Sequence, residues 1–360
     1  MSLLRGVATR PSRLSIVPAD PAPARPPEAS RFNAVVVPSY RVSSRILDVL
    51  RRIGPEVGRI YVIDDACPEK SGDVVERECR DPRVVVIRHT ENKGVGAAVI
   101  TGMQQALADG AEVIVKLDGD GQMDPDLLPI MIEVIVSGQA DYVKGNRFFD
   151  PEVAAAMPLG RLMGNATLSF LAKLSTGYWQ SFDPTNGYVA IHAEVARRLP
   201  LHKLSERYFF ETDLLFRLST LKARVVDIPM PAIYGDERSG LSAAREVGPF
   251  AIGHLRNFVK RIAYNYFLRD FSIASLELLA GLGLLVFGTV YGISHWSIED
   301  RTATAGTVML AGLPVILGVQ LLLAFLAHDV QSAPITALHP RLTARTMRLS
   351  DQQKDASRAS

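Results

Sequence analysis

Between residues 32 and 244 the chain alternates short apolar runs with longer stretches of mixed polarity. The apolar runs fall at 34–37, 60–63, 84–87, 113–117, 141–144 and 225–228, and most are β-branched. They show little internal alternation, as strands buried on both faces do. Segments 44–53, 95–109 and 210–221 carry helical spacing. Strands alternating with helices predict βαβ units, hence an α/β fold with a mostly parallel central sheet flanked by helices. The preceding 1–31 reads as a disordered arm, because Pro18, Pro21, Pro23, Pro26 and Pro27 fix φ and remove backbone donors. No long apolar run precedes those prolines, so a secretory signal is not expected.

Past 244 the pattern changes. Across 245–272, Phe250, Leu255, Phe258, Ile262 and Tyr266 recur at helical spacing beside Arg256, Lys260, Arg261 and Arg269. An apolar face with a basic flank is expected to lie in a membrane interface; a surface helix packed on the domain is the alternative. Segments 278–296 and 305–327 then contain no Asp, Glu, Lys or Arg. Helices of those lengths rise about 28 and 34 Å, close to the ~30 Å of bilayer hydrocarbon. A transmembrane hairpin over 273–328 is expected, with buried soluble helices as the alternative. Trp296 sits where an interfacial aromatic belongs. Arg341, Arg345 and Arg348 follow the hairpin, whereas in its short linker Arg301 is offset by Glu299 and Asp300. The positive-inside bias therefore places the 32–244 domain and the 329–360 tail in the cytoplasm, in a multi-pass protein of the cytoplasmic (inner) membrane. Gly281, Gly283 and Gly288 would let a second copy approach closely, as in a homo-oligomer.

Composition sharpens this picture. The mean hydropathy of +0.12 is high for a soluble enzyme, and the hairpin accounts for it. The 40 basic and 38 acidic residues nearly cancel, which argues against a nucleic-acid partner. Two cysteines, Cys67 and Cys79, cannot build a disulfide framework or a four-cysteine zinc site. His192, His202 and His254 share no ligand spacing, so zinc is not expected.

Candidate chemistry gathers at predicted strand ends. The fourth run closes on Asp118-Gly-Asp120-Gly-Gln122-Met-Asp124. Carboxylates crowded there repel one another unless a cation neutralises them, and Mg²⁺ or Mn²⁺ takes such oxygen ligands together with phosphate. An acidic turn is the bland alternative. A calcium loop is rejected, because its closing acidic position is Pro129. Asp64 and Asp65 end the second run, and Asn92-Lys93-Gly94-Val95-Gly96 opens the helix after the third. Glycines admit a ligand close to the backbone, and a helix N-terminus favours anions. Neither the dinucleotide fingerprint nor the phosphate loop is completed. Ligands of open α/β sheets bind beyond the carboxyl ends of the strands, so these three signals are expected to converge on one crevice.

Together these residues resemble family 2 glycosyltransferases with a GT-A fold, and most of all the polyprenyl-phosphate glycosyltransferases, the dolichyl-phosphate mannose synthase group. The resemblance covers 32–244, and the C-terminal hairpin fits bacterial members. Val35-Val-Val-Pro38-Ser-Tyr40 is similar to the opening strand and nucleotide loop, although Arg41, Val42 and Ser43 replace an acid usual there. By the resemblance, Pro38, Tyr40, Asp64, Asp65 and Lys93 hold the donor nucleotide. Asp118 and Asp120, assisted by Gln122, hold a divalent metal and the diphosphate. Gly145-Asn146-Arg147-Phe148 resembles a motif whose arginine, with Arg161 and Asn165, binds the acceptor phosphate. Asp183-Pro-Thr-Asn186-Gly187-Tyr188 and Phe210-Glu211-Thr-Asp213 match further blocks. Arg238, in a loop ahead of the membrane segment, is expected to close over the donor or meet the lipid phosphate.

The implied activity is transfer of one sugar, with inversion, from a nucleotide-diphospho sugar to a polyprenyl (undecaprenyl) phosphate; UDP is favoured over GDP. Such an acceptor is already anionic and needs no strong base. If the acceptor were a hydroxyl of a lipid-linked glycan, Glu211 and Asp213 would be the candidate bases; their alternative is favourable charge at a helix N-terminus. A catalytically silent membrane scaffold of the same fold is the third reading.

Overall fold

The computed structural model describes residues 32–149, 159–231, 243–296, 303–346 and 348. The expected arm at 1–31, the Arg238 loop and most of the hairpin linker lie outside the described residues, as do the side chains of Arg161 and Trp296.

All six anticipated strands form: β1 (Asn33–Ser39), β2 (Arg59–Asp64), β3 (Val84–Arg88), β4 (Val113–Lys116), β5 (Tyr142–Asn146) and, last in sequence, β7 (Val225–Pro229). A seventh strand outside the six apolar runs, β6 (Val189–His192), runs antiparallel between β4 and β5. The sheet order is β3-β2-β1-β4-β6-β5-β7, and all pairings other than those of β6 are parallel. This is the mostly parallel, helix-flanked sheet of the expected GT-A fold. Val35, Val37, Val62 and Val115 pack on one face; Ala34, Val36, Tyr61 and Ile114 pack on the other. Both faces are therefore covered, which is why the strands read as continuous apolar runs.

Helix α1 (Ile46–Arg51), α2 (Ser71–Glu78) and α3 (Val95–Ala108) connect the first four strands, and α4 (Leu128–Val136) leads into β5. Two longer helices, α5 (Leu159–Thr176) and α7 (Ala243–Ala263), pack together beside α6 (Phe210–Leu221). Their outward faces are apolar: Leu159, Met163 and Phe170 on α5, with Ile252, Leu255 and Val259 on α7, are all more than half exposed. The face of α7 turned inward is mixed: it buries His254, Asn257 and Arg261 beside Phe250, Phe258 and Ile262. Of the anticipated apolar positions, these three are half-buried. Leu255 points out, while Tyr266 turns inward in the π-helical turn Tyr264–Arg269.

Helices α8 (Ile273–Trp296) and α9 (Ala305–Gln331) form an antiparallel pair, long and apolar enough to cross a membrane. Only 22 % and 11 % of their apolar windows are buried, unlike core helices of a soluble protein. Gly281 and Gly288 are spent inside the hairpin: an added Cβ would lie 3.1 Å from Gly318 O and 2.6 Å from Ala311 O, respectively. Of the three glycines expected to serve a second copy, only Gly283 faces open space.

The C-terminal foot of the hairpin is tied down at two places. Asp329, near the end of α9, accepts bonds from Arg261 of α7, Tyr266 Oη and Trp179 Nε1. Farther on, Leu338 N, His339 N and His339 Nδ1 converge on the Asp141 carboxylate, and the His339 ring stacks on His192 at 4.1 Å. These donors hold the Asp141 carboxyl below its ordinary pKa against the opposing effect of burial.

Candidate active site

The carboxyl ends of β1, β2 and β4 and the N-terminus of α3 enclose a crevice of about 500 Å³. Pro38, Tyr40, Asp65, Asp118 and Asp120 line it, so the three sequence signals do converge. Tyr40 is 42 % exposed and offers its ring to the opening, with the Arg41 guanidinium 5.4 Å from its centroid. Arg41 has a left-handed φ of +58°, and its amide donates to Cys67 Sγ.

The two acids ending β2 divide their tasks. Asp64 is buried and accepts from Cys67 N (2.7 Å) and Gly72 N (2.8 Å), closing the turn into α2. It does not line the crevice. Asp65 does, yet its oxygens are engaged by Lys93 N, Gly94 N and His89 Nδ1. It therefore stitches β2 to the start of α3. Lys93 contributes its amide there and leaves its side chain exposed. Gly94 has φ +101°, and a Cβ on it would lie 2.7 Å from Glu206 O. The loop at 205–208 is thus laid directly on the helix start, where Ala97 N donates to Glu206 O. That loop carries Arg207 and Tyr208 into the crevice wall.

At the end of β4, Asp118 and Asp120 both face the crevice. Asp120 Oδ1 accepts from Gln122 N, and Arg45 Nη1 donates to Asp120 O. Asp124 turns away to Arg52. Beneath Asp118 lies Lys116, only 3 % exposed, with Nζ 2.8 Å from Asp118 Oδ1 and 3.5 Å from Glu211 Oε1. Burial pulls the Lys116 ammonium down, but Asp118 and Glu211 more than offset it, so its pKa stands above the ordinary value. Burial pushes the Glu211 carboxyl up, opposed in part by Lys116.

A divalent ion fits this pair of acids. Asp118 Oδ1 is buried against Lys116 Nζ, but the side chain is 29 % exposed, which leaves Oδ2 as the oxygen offered to the crevice. Among the described residues no group of three or more His, Cys, Asp or Glu could hold a metal alone. The rest of the shell would come from phosphate and water oxygens, as Mg²⁺ and Mn²⁺ accept.

Other expected residues sit elsewhere. Arg147 spends its guanidinium fork on Asp183, with both bonds at 2.8 Å. Asn165 lies half-buried on α5, one turn past Arg161. Neither Arg147 nor Asn165 lines the crevice. Asp213, expected as a candidate base, is fully buried and holds Ser205 N, Asn257 Nδ2 and Arg217; these partners make it a brace for the 205–208 loop. Two crevice cations were not singled out, Arg41 and Arg207, nor was Lys116. A lone lysine within the apolar 113–117 run was the available signal, since lysine is almost never fully buried unless paired.

The profile described as Glycosyl transferase family 2 matches residues 34–199. The chain is 31 % identical over 199 residues to undecaprenyl-phosphate mannosyltransferase of Micrococcus luteus, covering 54 % of this chain and 81 % of the relative. It is 30 % identical over 217 residues to polyprenol monophosphomannose synthase of Mycolicibacterium smegmatis, with coverages of 59 % and 80 %. A UDP-N-acetylglucosamine–dolichyl-phosphate N-acetylglucosaminyltransferase of Methanococcus voltae is 28 % identical over 220 residues, covering 57 % and 87 %. Matches of this depth over most of each relative, on the sheet described above, place the chain in glycosyltransferase family 2 and make it a glycosyltransferase.

Proposed function

We propose that the protein moves one sugar, with inversion, from a nucleotide-diphospho sugar to a polyprenyl phosphate such as undecaprenyl phosphate. The observation that carries this reading is the pair Asp118 and Asp120 on a crevice bounded by the N-terminus of α3. The donor nucleotide lies along Pro38, Tyr40 and Asp65, and UDP is favoured because one relative is named for a UDP-sugar. A divalent ion, when bound, supplies Lewis-acid stabilisation of the charge that leaves with the diphosphate. Asp118 and Asp120 would hold that ion on the crevice wall. A phosphate acceptor with a second pKa near ~6 arrives as its own nucleophile. Glu211 faces Lys116 rather than the crevice, which argues against a base-dependent hydroxyl acceptor. By the resemblance Arg161, Asn165 and Arg238 are assigned to the acceptor phosphate, and Arg147 joins them by exchanging Asp183 for phosphate oxygens in its guanidinium fork.

The outward apolar faces of α5 and α7 and the exposed hairpin suit an enzyme seated on and through the inner membrane. The ties at Asp329 and His339 keep the chain leaving α9 on the catalytic domain, which supports domain and tail on one side of the membrane, the cytoplasmic side by the positive-inside bias. The test is transfer of labelled sugar from UDP- and GDP-sugars to undecaprenyl phosphate by the purified full chain in nanodiscs. Label in the organic extract, lost on chelation or in Asp118→Asn, is expected. Unlabelled lipid across all donors, or full-speed transfer in excess chelator, overturns the reading.

A further inference from the structure

The buried Lys116–Glu211 pair beneath the crevice has no part in the reaction as described, and it sits against the acid that matters most. Lys116 lies on β4, opposite Val189 of β6 in the sheet register. Its ammonium touches Asp118 Oδ1 on one side and Glu211 Oε1 on the other. Gly187 closes the cage from a third side: a Cβ there would stand 2.2 Å from Lys116 Nζ, 3.2 Å from Asp118 Oδ2 and 3.3 Å from Glu211 Oε1. The absence of a side chain at 187 is thus what gives the three charges room. Glu211 is 7 % exposed, and the crevice lining does not include it.

A lysine ammonium this close to one carboxylate competes with any cation for that carboxylate's charge. If Asp118 were its only counter-ion, Asp118 would be a poor ligand. A second acid on the far side divides the attraction and leaves the three-charge cluster with a net negative charge facing the crevice. We propose that Glu211 and Lys116 are a positioning pair: Glu211 acts through Lys116, neutralising it so that Asp118 stays available to a divalent cation. This rests on the metal-assisted reading above, and it gives Glu211 a role other than that of a base. Neither residue need touch substrate.

The test measures Mn²⁺ binding rather than turnover. Full-length protein in nanodiscs at pH 8 is titrated with Mn²⁺ by electron paramagnetic resonance, with saturating UDP and, separately, GDP. Glu211→Gln keeps the shape and removes the charge, and should raise the Mn²⁺ Kd about tenfold or more. Glu211→Asp keeps the charge and should stay closer to the wild type. In a Lys116→Met background, Glu211→Gln should leave the Kd of Lys116→Met unchanged, because the ammonium it offsets is gone. Wild-type affinity in Glu211→Gln overturns the proposal. So does an equal loss from Glu211→Gln with and without Lys116, which would mean that the acid acts on the ion directly. If circular dichroism shows Lys116→Met unfolded, the Gln and Asp variants decide alone, and equal losses in both overturn the proposal. A wild-type protein that holds no Mn²⁺ with either nucleotide overturns the metal-assisted reading and this inference with it. Wild-type binding that Glu211→Gln leaves intact overturns this inference only.

Discussion

Asp329→Asn is expected to loosen the catalytic domain from the hairpin. Arg261 and Asp329 are each 2 % exposed at the side chain and meet through two bonds, Nη1 to Oδ1 at 2.6 Å and Nη2 to Oδ2 at 3.0 Å. Tyr266 Oη adds a bond at 2.6 Å and Trp179 Nε1 another at 2.8 Å, so donors from three segments converge on one carboxylate. The rest of the Arg261 fork is held by Leu174 O. Gly177, at φ +79°, allows this approach, because a Cβ there would lie 2.8 Å from Nη1. Asparagine removes the charge and turns an N–H group toward donors. Stranding one member of a buried pair costs about 3–5 kcal/mol, which is roughly two to four powers of ten in the docking equilibrium. The assay is urea unfolding in nanodiscs, in a Trp296→Phe background so that Trp179 alone reports. A midpoint about 2 M lower is expected for an m-value near ~2 kcal/mol/M. Replacing both partners, Arg261→Met with Asp329→Leu, should recover much of the loss, because an apolar pair needs no counter-charge. UDP affinity should not move, whereas lipid transfer should fall. An unchanged midpoint in Asp329→Asn, or a double variant no better than the single, refutes the reasoning.

Arg207→Ala should weaken UDP about tenfold, the scale of one charged hydrogen bond, and leave uridine binding unchanged; equal losses for both ligands would place the side chain on the base instead. His254 is buried on α7, shares a hydrogen with Ser175 Oγ, and burial pulls its pKa down to about 4. Its folded pKa is therefore below the unfolded ~6.5, so the unfolded chain binds the extra proton between these values. Stability should be full above ~6.5 and fall by about 3 kcal/mol as pH drops toward 4, with His254→Gln flattening that slope in pH-dependent melts. Gly94→Ala puts a side chain at φ +101° and against Glu206 O. A loss of about 1–3 kcal/mol is expected in thermal melts, with weaker UDP binding as the 205–208 loop lifts; an unchanged melt contradicts the close approach.

The sequence determined the strands, the paired apolar helices and the acids at strand ends. Those signals are local: a run of β-branched residues or a charge-free stretch needs no knowledge of what lies beside it. The exception was β6, which runs antiparallel between β4 and β5 directly after the Asn186-Gly187-Tyr188 block and so falls outside the strand–helix alternation that marked the others. Tertiary structure decided which charges face the crevice. Asp64 and Asp65 are neighbours in sequence, yet the first is consumed by the turn into α2 and only the second lines the crevice. Asp213 and Glu211 share a helical turn, but one braces a loop while the other reaches under Asp118 through Lys116. Arg147 carries the expected motif and is met by Asp183. An ionic group's partner is set by proximity between segments far apart in the chain, and composition and spacing carry no record of that distance. The same holds for Gly281 and Gly288, small enough for any helix contact and used by the neighbouring helix of their own hairpin.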